Sequence, residues 1–162
     1  IPVAPILDMK LENCVSPKRK GKWCGTGGNK MIFYDTNNVG YPCNFFTPMT
    51  FSQDQLSKLS KIDFNDDKFF EDEYCYNNCF FYNVCPNCYG ANYLMSGRIN
   101  VRDKGICQLI RIRAYYSASL KAHQILNFPD KYITDNNKVS LQIDAIQQIY
   151  DMCCDSLNLM SK

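Results

Sequence analysis

One histidine and one tryptophan are all that the 162 residues contain of either type. A lone His123 excludes mixed Cys/His zinc sites built on two histidines, and it leaves no Cys–His nucleophile pair in the cysteine-dense part of the chain. No apolar run approaches the ~20 residues that span a bilayer, so no membrane partner is expected. No Gly-rich phosphate loop and no GxSxG elbow occurs; Gly25-Thr26-Gly27-Gly28 lacks a following Lys-Ser/Thr. The N-terminus, Ile1-Pro2-Val3-Ala4-Pro5-Ile6-Leu7, has neither the basic flank nor the small-residue cleavage site of a signal peptide, and no initiator methionine. The expectation is a piece of a longer polypeptide, with residues 1–13 as an extended lead-in from a preceding domain. Charge of one sign is also missing. Eighteen basic and sixteen acidic residues leave a net charge of +2, which gives no ground for a nucleic-acid partner.

What the chain has in quantity is cysteine. There are ten, alongside 46% hydrophobic and 21% charged residues, the balance of a globular protein. A chain of this length buries enough surface to fold without covalent staples, so a purely structural disulfide set is not required. The cysteines are Cys14, Cys24, Cys43, Cys75, Cys79, Cys85, Cys88, Cys107, Cys153 and Cys154. Four fall within residues 75–88 as two closely spaced pairs. Such pairs let thiolates converge from tight turns whose backbone N–H groups stabilise thiolate and sulfide charge. Four-thiolate sites hold either an iron–sulfur cluster or structural zinc. Cys153 continues the apolar stripe of the last helix and reads as core packing.

Around these cysteines the pattern is mixed. Pro17-Lys18-Arg19-Lys20-Gly21-Lys22 reads as a solvated basic loop. Met31, Ile32, Phe33 and Tyr34 predict a buried strand over 30–34, turning through the Asp35–Gly40 segment into a partner that begins Tyr41-Pro42-Cys43. Ser52 is a helix N-cap ahead of Leu56 and Leu59. The acidic run 63–73 reads as a solvated face or as one paired with the basic stretch near Arg98–Arg113. Ile106, Leu109, Ile110, Tyr116 and Leu120 predict a helix ending before Pro129. Val139, Ile143, Ile146, Tyr150, Cys153 and Leu157 give a second helix a clear apolar stripe, starting near Asn136. The fold class expected is α+β: small β-hairpins and Cys-rich loops followed by two C-terminal helices. Tyr74, Tyr76, Phe80, Phe81, Tyr82, Tyr89 and Tyr93 surround the cysteine loop and read as a water-excluding shell rather than a peptide-binding surface.

Cys24-Gly25-Thr26-Gly27-Gly28, Ile32-Phe33-Tyr34-Asp35, Gly40-Tyr41-Pro42-Cys43, then Cys75, Cys79, Cys85, Cys88-Tyr89-Gly90-Ala91-Asn92-Tyr93 and finally Cys107 resemble the SPASM domain. That domain is the auxiliary-cluster region of radical S-adenosylmethionine (SAM) enzymes that mature peptides and proteins. The likeness covers residues 14–107, with 108–162 as a helical tail. It implies two [4Fe–4S] clusters, one on Cys14, Cys24, Cys43 and Cys88, the other on Cys75, Cys79, Cys85 and Cys107. It further implies electron relay or substrate positioning, a radical SAM catalytic barrel as partner in cis or trans, a peptide or protein substrate, and a cytoplasmic setting. The central spacing here is C-x3-C-x5-C-x2-C where the family has C-x2-C-x5-C-x3-C, and the family's hairpin glycine is replaced by Asn38. The CxxxCxxC loop that binds and cleaves SAM is lacking. SAM therefore belongs to the absent catalytic domain, and this chain alone does not run the parent oxidoreductase chemistry. The alternatives open from the residues are a four-cysteine zinc-binding interaction module without redox role, and a secreted disulfide-rich binding domain.

Overall fold

The computed structural model describes residues 8–27 and 31–160, with side chains throughout except those of residues 73 and 154–160. The elements run α1 Glu12–Val15, β1 Phe33–Tyr34, β2 Gly40–Tyr41, α2 Gln53–Leu59, α3 Glu73–Asn78, α4 Tyr89–Ser96, α5 Lys104–Asn127, α6 Pro129–Tyr132 and α7 Asn136–Met160, with a 3₁₀ turn at Asp67–Phe70. The mixture of long helices with one small antiparallel sheet is α+β, as the sequence predicts. Among the described residues no helix is long and apolar enough to cross a membrane.

The chain divides into two compact units. One takes Ile1–Lys18, Cys79–Cys85 and Gly105–Lys162; the other takes Arg19–Asn78 and Pro86–Lys104. The segment 14–107, expected as one cluster domain, thus contributes to both.

In the first unit α5 and α7 supply the frame, and α1 packs on α7. Ile110, Ala114 and Ala118 of α5 meet Ala145, Ile146 and Ile149 of α7 in a core that also holds Met9, Leu11, Cys14, Phe81 and Cys85. The apolar stripe of α7 is buried at Val139 and Ile146 as expected but departs at one position: Ile143 is exposed, whereas Gln142 is buried. The substitution works because the Gln142 amide donates to Glu12 Oε2 at 3.2 Å, so the buried polar group is satisfied. Lys138 adds an ion pair to the same carboxylate at 3.4 Å. The Leu157 side chain lies outside the described residues.

The second unit is built on aromatics. Phe46, Phe51, Phe70, Tyr89 and Tyr93 are buried with Leu59 and Ile99. Phe46 stacks on Phe51 at 5.7 Å and meets Phe64 edge-on at 5.5 Å, while Phe70 meets Tyr89 edge-on at 4.8 Å. Each such pair adds roughly 0.5–1.5 kcal/mol beyond its buried area. Ser52 is the N-cap of α2 as expected and completes a capping box with Gln55.

The hairpin is smaller and more open than predicted. Strand pairing is limited to Phe33 with Tyr41 and Tyr34 with Gly40. Met31, Ile32, Phe33 and Tyr34 are exposed rather than buried. The cause is local: Pro42 has no N–H to extend the ladder, and the chain folds into turns from Cys43. Lys30 lies outside the described residues. Asn38 takes a left-handed φ of 61°, the conformation for which asparagine substitutes for glycine. Its turn is held by the N–H groups of Asn37 and Val39 donating to Asp35 Oδ1, both at 2.9 Å.

Candidate thiol sites

Three cysteines of the second unit are drawn together by contacts made within three residues of each. The N–H of Gly27 donates to the Pro42 carbonyl at 2.8 Å, and Thr26 Oγ1 donates to the same oxygen at 3.3 Å. That ties the chain beside Cys24 to the chain beside Cys43. The Trp23 N–H donates to the buried Tyr89 hydroxyl at 2.6 Å, tying the Cys24 side to Cys88. Gly90 lies so close to Phe45 that a Cβ there would sit 2.4 Å from the ring, which closes the third side. The turn ahead of Cys88 is fixed by Asn92, whose amide donates to Asn87 Oδ1 at 2.7 Å and to the Ile99 carbonyl at 2.9 Å.

The Cys24 sulfur is thereby within electrostatic reach of Cys43 and Cys88. The Cys24 thiol is pushed above its ordinary range, first by desolvation and then by the neighbouring Cys43 and Cys88. A hydrogen bond from the Thr26 backbone and the charge of Lys22 oppose that rise. Cys24 and Cys88 are exposed and Cys43 is half-buried. The guanidinium groups of Arg19 and Arg102 lie 5.2 and 5.8 Å from the ring of Trp23, the residue before Cys24.

Cys14 lies in the first unit. It is buried at the end of the short α1 turn, in the same core as Cys85, with Cys79 packed against that core. The loop carrying Cys79 and Cys85 is clamped by Asn83, whose amide donates to the carbonyls of Asn13, Ser16 and Pro17 at 3.0–3.1 Å. Burial, the Cys79 sulfur and the Glu12 carboxylate together push the Cys14 thiol up to about 12. Cys107 is on α5 in this unit, and Cys75 is on α3 in the other. Of the quartets that the resemblance implies, each therefore draws residues from both units. The nine described cysteines are free thiols, and among the described residues no group of three or more His, Cys, Asp or Glu side chains is arranged to hold a metal ion.

In kind, the donors fit a thiophilic group: soft sulfurs on three stitched segments, with cationic side chains close by. Compared with family models, curated proteins and solved structures, the chain matches none.

Asn83 has no counterpart in the reading of the sequence, and Asp72, expected on a solvated acidic face, is instead a buried positioning residue. Asp72 is buried; one carboxylate oxygen accepts from the Cys75 N–H at 3.0 Å, the other from the Arg102 N–H at 3.3 Å. Its signal was an aspartate three residues before a cysteine, the spacing of an N-cap. Of the aromatics around the cysteine loop, Phe81, Tyr82, Tyr89 and Tyr93 are buried, Tyr76 and Phe80 are half-buried, and Tyr74 is exposed. His123 lies exposed on α5, its ring beside Phe128. Replacing Asp72 by alanine removes both acceptors and is expected to lower the unfolding free energy by about 1–3 kcal/mol. Chemical denaturation of the two proteins measures the difference.

Proposed function

We propose that the chain is an auxiliary iron–sulfur domain of the SPASM type, binding two [4Fe–4S] clusters and serving the catalytic barrel of a radical SAM maturase in cis or trans. The observation that carries the reading is the stitched Cys24–Cys43–Cys88 neighbourhood. Three segments far apart in sequence are joined by Gly27, Tyr89 and Gly90, all inside the motifs on which the resemblance rests. The residues that would hold the clusters are Cys14, Cys24, Cys43 and Cys88 for one and Cys75, Cys79, Cys85 and Cys107 for the other. When bound, such clusters supply one-electron relay to or from a substrate radical. The chain's own part is to present thiolates and to exclude water with buried Phe81, Tyr89 and Tyr93. A peptide or protein substrate and a cytoplasmic, reducing compartment complete the reading.

The test is anaerobic reconstitution of the purified chain with ferrous iron and sulfide, followed by iron, acid-labile sulfide and zinc analysis. The expected result is close to eight irons and eight sulfides per chain, as two four-iron clusters require. Cys43→Ser and Cys85→Ala should each remove about half. Zinc at two per chain without sulfide would make the domain a zinc module, and unchanged iron in both variants would refute the ligand set.

A further inference from the structure

Cys14 and Cys79 belong to the same compact unit. Cys14 is buried on α1, in a core with Met9, Leu11, Phe81 and Ile149. Cys79 packs on that core and is half-buried, so it meets solvent as well. The two segments are fastened together beside both cysteines. The Asn83 amide donates to the carbonyls of Asn13, Ser16 and Pro17, which bracket Cys14. α1 is fixed in turn to α7, because Glu12 accepts from Gln142 and pairs with Lys138. After burial, the largest influence on the Cys14 thiol is the Cys79 sulfur, ahead of the Glu12 carboxylate two residues away on α1. Cys79 lies in irregular backbone between α3 and the turn at Phe80. Such a segment adjusts readily to the Cα–Cα spacing of ~4.4–6.8 Å that a disulfide requires. Cys85 shares the core but is buried like Cys14, so neither thiol of a Cys14–Cys85 pair is within reach of a soluble oxidant.

We propose that Cys14 and Cys79 are a reversible switch, closing under oxidation into an internal disulfide that shuts the chain to cluster loading. The oxidant is a low-molecular-weight disulfide, oxidised glutathione. Cys79 attacks as thiolate, its proton having passed to water. It bonds to one glutathione sulfur, and the other glutathione leaves as thiolate. The Cys14 sulfur then bonds to the Cys79 sulfur and passes its proton to the departing second glutathione. Two cysteine thiols are oxidised and one glutathione disulfide is reduced to two thiols. A reductant re-enters at Cys79, since Cys14 is enclosed. The disulfide rests on the packing alone. Its effect on loading rests on the cluster reading, in which Cys14 serves one cluster and Cys79 the other, so that one bond withdraws a ligand from each.

The test treats the metal-free 162-residue chain with oxidised glutathione, then with reduced glutathione to strip mixed disulfides from exposed Cys24 and Cys88. Mass mapping after alkylation should find Cys14 joined to Cys79. Offered ferrous iron and sulfide, the oxidised chain should take up less than about half the iron of the reduced chain, and a dithiol should restore the rest. Cys79→Ser should leave Cys14 a free thiol after the same treatment. Asn83→Ala keeps both thiols but releases the clamp that sets their effective concentration, and should slow closure at least about tenfold. Circular dichroism of both variants verifies the fold. A Cys14–Cys85 linkage, Cys14 still free in the oxidised parent, or closure indifferent to Asn83→Ala overturns the proposal. So does full iron uptake by a chain in which the Cys14–Cys79 bond is mapped. If the reduced chain takes up no iron, the cluster reading and the loading effect fall together, whereas the mapped linkage and its dependence on Asn83 still decide the disulfide.

Discussion

Gly27→Ala is expected to destabilise the metal-free protein by about 3 kcal/mol or more, the sum of two costs that alanine cannot avoid there. Gly27 has a φ of +68°, where an L residue loses roughly 1–2 kcal/mol. A Cβ on it would also lie 2.4 Å from the Cβ of Phe64, an atom anchored to the backbone, so no rotamer change of Phe64 relieves the overlap. The movement that does relieve it pulls the Gly27 N–H off the Pro42 carbonyl and separates the chain beside Cys24 from the chain beside Cys43. Gly90→Ala acts on the third side of the same triangle, against the Cβ, Cγ and Cδ1 of Phe45, with an ordinary φ and hence a smaller cost. Urea unfolding monitored by tryptophan fluorescence reads both, since the single tryptophan, Trp23, sits inside the triangle. A Gly27→Ala protein as stable as the parent would mean that the Cys24 and Cys43 segments are not held by this contact. A control at Gly97 isolates the conformational part: it has a φ of +70° but open space where its Cβ would go.

That triangle explains why part of the site was legible before any coordinates. The glycines beside Cys24 and Cys88 and the proline before Cys43 are visible in the sequence, and each turns out to sit at a point where segments meet. What the sequence did not reveal is which side chain each glycine makes room for, because Phe64 and Phe45 lie 37 and 45 residues away along the chain. The helices were legible for a different reason. Ser52 with Gln55, and the apolar stripe of α7 at Val139 and Ile146, are local signals that the structure bears out, whereas Leu109 and Tyr116 of the α5 periodicity are exposed. Where packing overrode the periodicity, at Ile143 and Gln142, the deciding partner was Glu12, 130 residues away. The exposed hairpin failed for the opposite reason: β-propensity reports that a strand forms, not that anything covers it.

The two thiol neighbourhoods differ in a way that matters for their chemistry. Cys24 and Cys88 are open to solvent and so to a thiophilic group, although desolvation and the neighbouring Cys43 and Cys88 hold the Cys24 thiol above its ordinary range. Cys14 is enclosed by Met9, Leu11, Phe81 and Ile149 and has carboxylate and sulfur neighbours, all of which oppose ionisation. The fold therefore leaves Cys24 and Cys88 exposed and buries Cys14 and Cys85, and the buried Cys14 links chain stability to pH.

In the metal-free chain, unfolding should become markedly easier between pH 9 and pH 12, by up to about 4 kcal/mol from Cys14 alone. The sign follows from the direction of the change. The folded state holds the Cys14 proton up to about pH 12, against an ordinary value of 9.0, so its contribution is fully present below pH 9. Above that, the unfolded chain releases the proton while the folded one retains it, and stability falls as pH rises until the folded thiol ionises as well. Cys14→Ala removes the titration, so its stability curve should run flatter across the same interval, even though the lost sulfur packing lowers the whole curve. Guanidinium unfolding of parent and variant at pH 8, 9, 10 and 11, under reducing conditions, provides the comparison. Parallel curves would place Cys14 in contact with water and dissolve the account of its burial. A parent curve that steepens above pH 9 while the variant does not would locate the sulfur in the core formed by α1, α5 and α7.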